Sequence, residues 1–242
     1  MRLDQALTHR NLCESRQEAQ ECIDAGHVIV DGTVVTKRTR HVTEEQYIEV
    51  TQTRKYVSRG GDKLDAALHY LYLTDEAITE KIRGTHALDI GSSTGGFTDC
   101  LLSYGAQTVT AVDVGTLQLH TKLRNDARVT LYENTDIRNF SHTTLFDIIV
   151  ADLSFIALEK LIDTIISFGK KGSLYLLLIK PQFEVGKGNT KKGIVKDVEL
   201  VETIITKYTA ILKEKNLHAV QAFPCKIQGG DGNQEYFIAA YR

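Results

Sequence analysis

The chain has 242 residues, enough for one well-packed core and a small appended module. With 42% hydrophobic and 25% charged residues it has the make-up of a soluble globular protein, and its longest strongly apolar run, Leu174 to Ile179, is far too short to cross a bilayer. A formal net charge of −2 excludes a polycation, so a nucleic-acid partner would have to be held by local basic clusters.

Cys13, Cys22, Cys100 and Cys225 form no CxxC pair, and the eight histidines show no ligand spacing, so neither a disulfide framework nor a metal site is expected. The start, Met1-Arg2-Leu3-Asp4, has no apolar signal core, which together with the scattered cysteines predicts a cytoplasmic protein.

Residues 1–50 form a small module. Periodicity predicts helices over Leu3–Thr8 and Ser15–Ala25, the second with Ser15 as N-cap, Glu18 as its capping-box partner and Gly26 as its stop. His27-Val28-Ile29-Val30, the turn Asp31-Gly32 and Thr33-Val34-Val35 then predict a hairpin. A linker is expected over residues 51–57, centred on Thr51-Gln52-Thr53-Arg54-Lys55, and a second domain over 58–242.

That domain opens with a helix over Asp62–Leu73, with Leu64, Ala67, Leu68 and Leu71 on one face. Strands are expected at His86–Ile90, Thr108–Asp113, Val129–Tyr132, Asp147–Ala151 and Leu174–Ile179, most with helical segments between. Such alternation predicts an α/β fold with a mostly parallel sheet. Ala219–Phe223 and Glu235–Tyr241 flank a Gly-rich turn and read as an antiparallel pair.

The first strand runs into Asp89-Ile90-Gly91-Ser92-Ser93-Thr94-Gly95-Gly96-Phe97. Gly91, Gly95 and Gly96 let a ligand approach the backbone without a Cβ in the way. The spacing is not GxGxxG, which disfavours a pyrophosphate-bearing dinucleotide and suits S-adenosylmethionine, a ligand with no phosphate. In this reading Asp89, Ser92, Ser93 and Phe97 belong to the cofactor turn, with Asp89 supporting the ligand's amino group. Asp113 lies 22 residues after Gly91 at the end of the next strand, where it accepts both ribose hydroxyls, and Val114 follows it. Asp136, after the third strand, reaches for the adenine amino group or is a solvated loop acid. Without the acid on the second strand, the glycines would mark only a structural strand–helix turn.

Asp152 follows Ile148-Ile149-Val150-Ala151, and Lys180 follows Tyr175-Leu176-Leu177-Leu178-Ile179. Both stand at strand ends facing the crevice where ligands bind in this architecture, or else are charges capping strands at the surface. Pro181 biases Lys180 towards an extended backbone and stops the strand.

Eight segments in order carry a resemblance to a known family. They are Tyr56-Val57-Ser58-Arg59-Gly60-Gly61-Asp62-Lys63-Leu64, the Asp89–Phe97 turn, Ala111-Val112-Asp113-Val114-Gly115 and Leu123-Arg124-Asn125-Asp126. Then come Ala151-Asp152-Leu153-Ser154-Phe155, Ile179-Lys180-Pro181-Gln182-Phe183-Glu184, Gly193-Ile194-Val195-Lys196-Asp197 and Gly232-Asn233-Gln234-Glu235. Over almost its whole length the chain resembles the TlyA-type ribosomal RNA 2′-O-methyltransferases, also called hemolysin A. The resemblance implies a Rossmann-like, FtsJ-like methyltransferase domain whose last strand is antiparallel. It also implies S-adenosylmethionine as donor, S-adenosylhomocysteine as product, and a cytidine ribose of ribosomal RNA as acceptor, within a subunit or as free RNA. A monomer with no membrane partner is expected. A membrane-lytic role would need a spanning segment or a strongly amphipathic basic helix, and the sequence has neither.

The same resemblance makes residues 1–50 the RNA-binding module named after ribosomal protein S-four, carried by Arg2-Leu3-Asp4, Ser15-Arg16, Gly26 and Asp31-Gly32. Residues 1–60 hold nine Lys/Arg and nine Asp/Glu, so RNA contact is expected from clusters: Arg2, Arg16, Lys37, Arg38, Arg40, Arg54, Lys55 and Arg59. The segment Val185–Lys196, with Lys187, Lys191, Lys192 and Lys196, reads as a lid or RNA-contacting loop.

Related ribose methyltransferases use a Lys–Asp–Lys–Glu tetrad, which the resemblance places on Lys63, Asp152, Lys180 and Glu235. A ribose hydroxyl is a poor nucleophile, so it must be aimed at the methyl group and relieved of its proton. Lys180 is the expected hydroxyl contact; acting as a base requires it to be neutral, favoured by burial or a nearby cation such as Lys63 and opposed by Asp152 and Glu235. Two departures from the family stand out. Thr116-Leu117-Gln118-Leu119 replaces a segment in which relatives carry a second glycine, and Asp136 stands where asparagine is frequent. Two alternatives share this sequence: a 2′-O-methyltransferase of transfer or other structured RNA, and a non-catalytic RNA-binding assembly factor.

Overall fold

The computed structural model describes residues 1–13, 15–51, 55–73, 76–78, 80–186, 188–229 and 232–242. The chain divides into two compact units, Met1–Lys55 and Tyr56–Arg242.

In the first unit, α1 (Leu3–His9) packs on α2 (Arg16–Asp24) over a core of Leu3, Leu7, Ile23, Val28, Val30 and Ile48. Ser15 caps α2 as its sequence predicts, its Oγ accepting from the Glu18 amide at 3.1 Å. β1 (Val28–Val30) and β2 (Thr33–Val34) form the predicted hairpin. Asp31 and Gly32 both have positive φ, 49° and 79°, the twist that a two-residue turn of this hand demands. A third strand, β3 (Ile48–Val50), pairs antiparallel with the other edge of β1. Three residues are too few to show alternation, so sequence periodicity missed it; Asp31 anchors it by accepting from the Tyr47 amide at 2.9 Å and the Gln46 side chain at 2.7 Å.

The second unit is a seven-stranded sheet in the order β6-β5-β4-β7-β8-β10-β9. Its strands are β4 (His86–Ile90), β5 (Thr108–Val112), β6 (Val129–Tyr132), β7 (Phe146–Ala151), β8 (Gly169–Ile179), β9 (His218–Pro224) and β10 (Tyr236–Tyr241). Strands β4 to β8 pair in parallel, and β10 lies antiparallel between β8 and β9. Side chains of β8 alternate between two cores: Leu174, Leu176 and Leu178 on one face, Tyr175, Leu177 and Ile179 on the other. The first face is covered by α3 (Arg59–Tyr72), α4 (Gly96–Ser103) and the short α5 (Thr121–Arg124), the second by α6 (Ile162–Ser167) and α8 (Val198–Glu214).

Helix α3 starts three residues before the predicted Asp62. A Cβ on Gly61 would lie 2.3 Å from Tyr56 Cβ, and one on Gly96 would lie 2.3 Å from Ser58 Oγ and 2.5 Å from the Gly61 nitrogen. Gly96, with Gly60 opposite it, therefore lets the N-termini of α3 and α4 meet backbone to backbone, while the bare Gly61 seats the Tyr56 side chain. Pro181 does end β8, and it also opens a short helix, α7 (Pro181–Glu184), at the first-turn position where a missing N–H costs nothing.

Candidate active site

Strand order reverses at β4, whose neighbours β5 and β7 lead the sheet off in opposite directions; the crevice at their carboxyl ends is where ligands bind in such sheets. A cavity of about 350 Å³ lies there, walled by Gly91, Ser93, Asp113, Val114, Asp136 and Asp152 among others. Gly91 (φ 79°), Ser93 (φ 46°) and Gly95 (φ 98°) bend the chain from β4 into α4. At Gly91 a Cβ would meet the Asp152 carbonyl at 2.5 Å, so only glycine lets the ends of β4 and β7 come this close.

Asp113 holds the turn through both oxygens: Oδ2 accepts from the Ser93 amide at 2.7 Å and Oδ1 from the Gly115 amide at 2.6 Å. Asp89 is fully buried; Oδ2 accepts from Thr98 Oγ at 2.6 Å while Oδ1 has no partner among the described residues. Burial pushes its carboxyl up to about 7, opposed by the Thr98 hydrogen bond and reinforced by the negative charges of Asp152 and Asp113. Ser92 Oγ is likewise buried without a partner among the described residues. Two orphaned polar atoms and three neighbouring carboxylates favour a ligand that is cationic and rich in N–H donors.

Three residues expected at the cofactor lie elsewhere. Phe97 is core, stacked on Phe237 with ring centroids 6.1 Å apart, and does not line the cavity. Gly95 and Gly96 face Leu123 and Ser58 respectively, so their small size serves packing beneath the turn. Asp136 does line the cavity, but its carboxylate grips Arg138 at 2.5 Å and is held at about 2 by that bond.

The four tetrad residues resolve into two ion pairs. Lys63, from α3, meets Glu235, just before β10, at 2.5 Å, and both are buried. Gly229 makes room for this carboxylate, since a Cβ there would lie 2.7 Å from Glu235 Oε1. Lys180 meets Asp152 at 2.5 Å across the ends of β8 and β7, an ion-pair contact that leaves Asp152 Oδ1 without an aligned hydrogen bond. Lys180 Nζ donates instead to Ser154 Oγ at 2.8 Å. The buried Cys225 thiol, raised chiefly by desolvation, feels Lys63, Glu235 and Asp152 together, which puts both pairs in one neighbourhood. Lys63 is thus matched by a carboxylate rather than standing free beside Lys180.

Ser154, Phe155 and Glu184 lie within the motifs, but nothing in the sequence marks them for a part in the site. Phe155 has φ 65°, is 90% exposed at the cavity wall and packs on Phe183 at 5.0 Å. A bulky residue held in that backbone region without burial is a signal only coordinates carry. Glu184 accepts from the Leu158 amide at 3.0 Å and from the Tyr208 hydroxyl at 2.5 Å, pinning the loop that carries Ser154 and Phe155. Asn233 ties down the Val185–Lys196 segment by accepting from the Val195 amide at 3.0 Å and donating to the Gly193 carbonyl at 2.9 Å.

Four of the basic residues expected to meet RNA are already engaged. Arg2 and Arg16 both donate to the buried Asp4, as does Gln20; burial alone would raise that carboxyl, but these bonds hold it well below the usual range. Arg38 pairs with Asp24, and Arg59 donates to the Gln228 carbonyl at 2.6 Å. Lys37 and Arg40 have no ion pair among the described residues; Lys191 and Lys192 are exposed on a tight turn closed by Ile194. Arg54 and Lys187 lie outside the described residues, as do residues 52–54 of the expected linker.

Comparison with known proteins settles the family. A model of FtsJ-like methyltransferases matches residues 56–242, and a model of the S4 domain matches residues 1–46. Hemolysin A of Brachyspira hyodysenteriae is 39% identical over 241 residues, covering 98% of each chain. The 16S/23S rRNA (cytidine-2′-O)-methyltransferase TlyA of Mycobacterium tuberculosis is 38% identical over 243 residues, 98% of this chain and 88% of that one. The chain belongs to the TlyA family of FtsJ-like methyltransferases. A solved structure of a hemolysin-named protein from Streptococcus thermophilus, 32% identical, superposes with a TM-score of 0.76 over all of this chain and 88% of that one. As in this family of enzymes, the methyl donor is S-adenosylmethionine, and the cationic, donor-rich ligand that the Asp89–Asp113–Asp152 cluster favours fits it. No helix among the described residues is long and apolar enough to cross a membrane.

Proposed function

We propose that this protein methylates the 2′ oxygen of a cytidine ribose in ribosomal RNA, the activity for which its Mycobacterium tuberculosis relative is named. The observation that carries the proposal is the Lys180–Asp152 pair at 2.5 Å, set at the strand ends beside the cofactor cavity and backed by the buried Lys63–Glu235 pair. S-adenosylmethionine supplies a methyl group on a sulfonium, and this chain's residues do the rest. Asp113 accepts the cofactor's ribose hydroxyls, Val114 and Asp136 face its adenine, and Gly91, Ser92 and Ser93 shape the turn, with Asp89 beneath it meeting the amino group. Lys180, braced by Asp152 and Ser154, aligns the acceptor oxygen for in-line attack, and as the neutral amine, its own proton having first gone to solvent, takes the hydroxyl proton late through its lone pair while the sulfur leaves as the neutral thioether. Lys63 and Glu235 form a neutral buried prop that sets the position of this centre.

RNA is held by the S4 domain through Lys37 and Arg40, with Arg2, Arg16 and Arg38 contributing the charge their acidic partners leave, and by Arg59, Lys187, Lys191 and Lys192 on the methyltransferase domain. The enzyme works as a monomer in the cytoplasm. The test offers labelled S-adenosylmethionine to purified small and large ribosomal subunits, free ribosomal RNA and transfer RNA. Label in alkali-resistant dinucleotides of ribosomal RNA is expected, since 2′-O-methylation blocks alkaline cleavage. Label confined to transfer RNA would replace the acceptor, and no transfer to any RNA would leave an assembly factor.

A further inference from the structure

The loop after β5 holds a glycine that its backbone does not require. Gly115 lies outside the left-handed region, yet a Cβ there would sit 2.0 Å from Gln118 Nε2, 2.7 Å from Gln118 Cδ and 3.0 Å from Asp113 Oδ1. The missing Cβ is therefore space occupied by the Gln118 carboxamide, folded back beside the Asp113 carboxylate. The chain reverses at Leu117, which has φ 56°. The loop is fixed from outside: the Asn134 amide donates to the Gly115 carbonyl at 3.0 Å, and the Gln118 amide to Glu133 Oε1 at 3.3 Å. Arg124 holds that Glu133 carboxylate at 2.8 Å. Gln118 and Asp113 line the same cavity, and the Gln118 side chain makes no hydrogen bond to a described residue.

Each Asp113 oxygen already accepts one backbone N–H, so what it offers the cavity is its remaining lone pairs. A ribose hydroxyl donates one proton and also accepts. Asp113 satisfies the first need and cannot satisfy the second; a primary amide beside it can. We propose that Gln118 is a cofactor-binding residue, its Nε2–H donating to a ribose hydroxyl oxygen whose own proton goes to Asp113, with Gly115 kept bare to seat the amide. The inference rests on the S-adenosyl cofactor of the family and assigns a contact beyond the Asp113 carboxylate.

The full-length protein is titrated calorimetrically with S-adenosylhomocysteine and with its 2′-deoxy and 3′-deoxy analogues. Gln118→Ala is expected to weaken S-adenosylhomocysteine about three- to tenfold, the worth of one hydrogen bond, while leaving the affinity for one of the deoxy analogues unchanged. Gly115→Ala, which dislodges the amide, is expected to match that loss, and the double variant to be no weaker than either single one. Equal loss for the parent ligand and both analogues overturns the proposal, as does an affinity of Gln118→Ala within twofold of the parent protein. Should Gly115→Ala fail to fold, the exposed Gln118→Ala carries the test alone. If the unaltered protein binds no S-adenosylhomocysteine at all, the cofactor assignment falls first and this contact with it.

Discussion

The two lysine–carboxylate pairs of the methyltransferase domain have the same N–O separation, 2.5 Å, and differ in how far their carboxylates reach solvent. Lys63 and Glu235 are joined across 172 residues with 9% and 3% of their side chains exposed. In the Lys180–Asp152 pair the lysine is about as covered, 11% exposed, but Asp152 keeps 21% exposure and faces the cavity. A sealed pair has exchanged its water for its partner and can do little but hold position; an open one can trade its partner for a substrate oxygen. Under the proposed function, that difference divides the tetrad into a prop and a working end.

The sharpest break of this comparison is Lys180→Ala. Methyl transfer in single turnover is expected to fall at least about 1,000-fold, the upper part of what proton transfer and alignment contribute, with S-adenosylhomocysteine affinity within about threefold of the parent. Retained transfer at normal cofactor affinity removes Lys180 from the chemistry.

The sealed pair should respond differently. Lys63→Met or Glu235→Gln alone leaves one buried group without its counter-charge and is expected to cost about 3–5 kcal/mol of stability, read by denaturant melts. Lys63→Met with Glu235→Leu removes both charges and is expected to recover most of that loss. Transfer should stay impaired in the stable double variant, because the prop also sets the position of the Lys180 centre. Full activity there would reduce the pair to a dispensable core feature.

Much of this arrangement is legible in the sequence. Strands end where an apolar run meets a polar residue, which located Asp113, Asp152 and Lys180 without coordinates, and the Asp31-Gly32 turn announced its hairpin. What was not legible depends on which groups meet across long separations. Lys63 reads as a helix-surface lysine until Glu235 arrives from the far end of the chain. Glycines in a cofactor turn look alike as letters, yet Gly91 serves the cavity while Gly96 serves the α3–α4 contact. Basic residues in the S4 domain look available for phosphate until Asp4 is found buried beneath Arg2 and Arg16.

Asp89 adds a third case, a buried acid with no counter-charge. Unfolded, it loses its proton near pH 4; folded, only near pH 7. Between those values the folded state binds the extra proton, so stability falls as pH rises. The parent protein without cofactor should lose roughly 1 kcal/mol per pH unit relative to Asp89→Asn between pH 5 and 7. Saturating S-adenosylmethionine should flatten that slope, since an ammonium group near Asp89 stabilises the ionised carboxylate. A pH-independent difference between parent and variant would show that burial is not what holds the proton.

The smallest effect lies where the chain leaves its family. Leu117 lies in the stretch where the resemblance leads one to expect a second glycine; its φ of 56° puts an L side chain in the left-handed region, yet it is 84% exposed. Strain there costs about 1 kcal/mol, and an exposed leucine recovers little of it by burial. Leu117→Gly removes the strain but frees the unfolded chain, so the expected net gain is about 0.5 kcal/mol, or roughly 1–2 °C in Tm. Leu117→Ala keeps a Cβ and should gain nothing. If alanine stabilised as much as glycine, the backbone would not be the cause and the bend that brings Gln118 over Gly115 would need another origin. If only glycine does, the loop holds its reversal against the strain of a left-handed leucine, and the Gln118 carboxamide should stay over Gly115 in the variant.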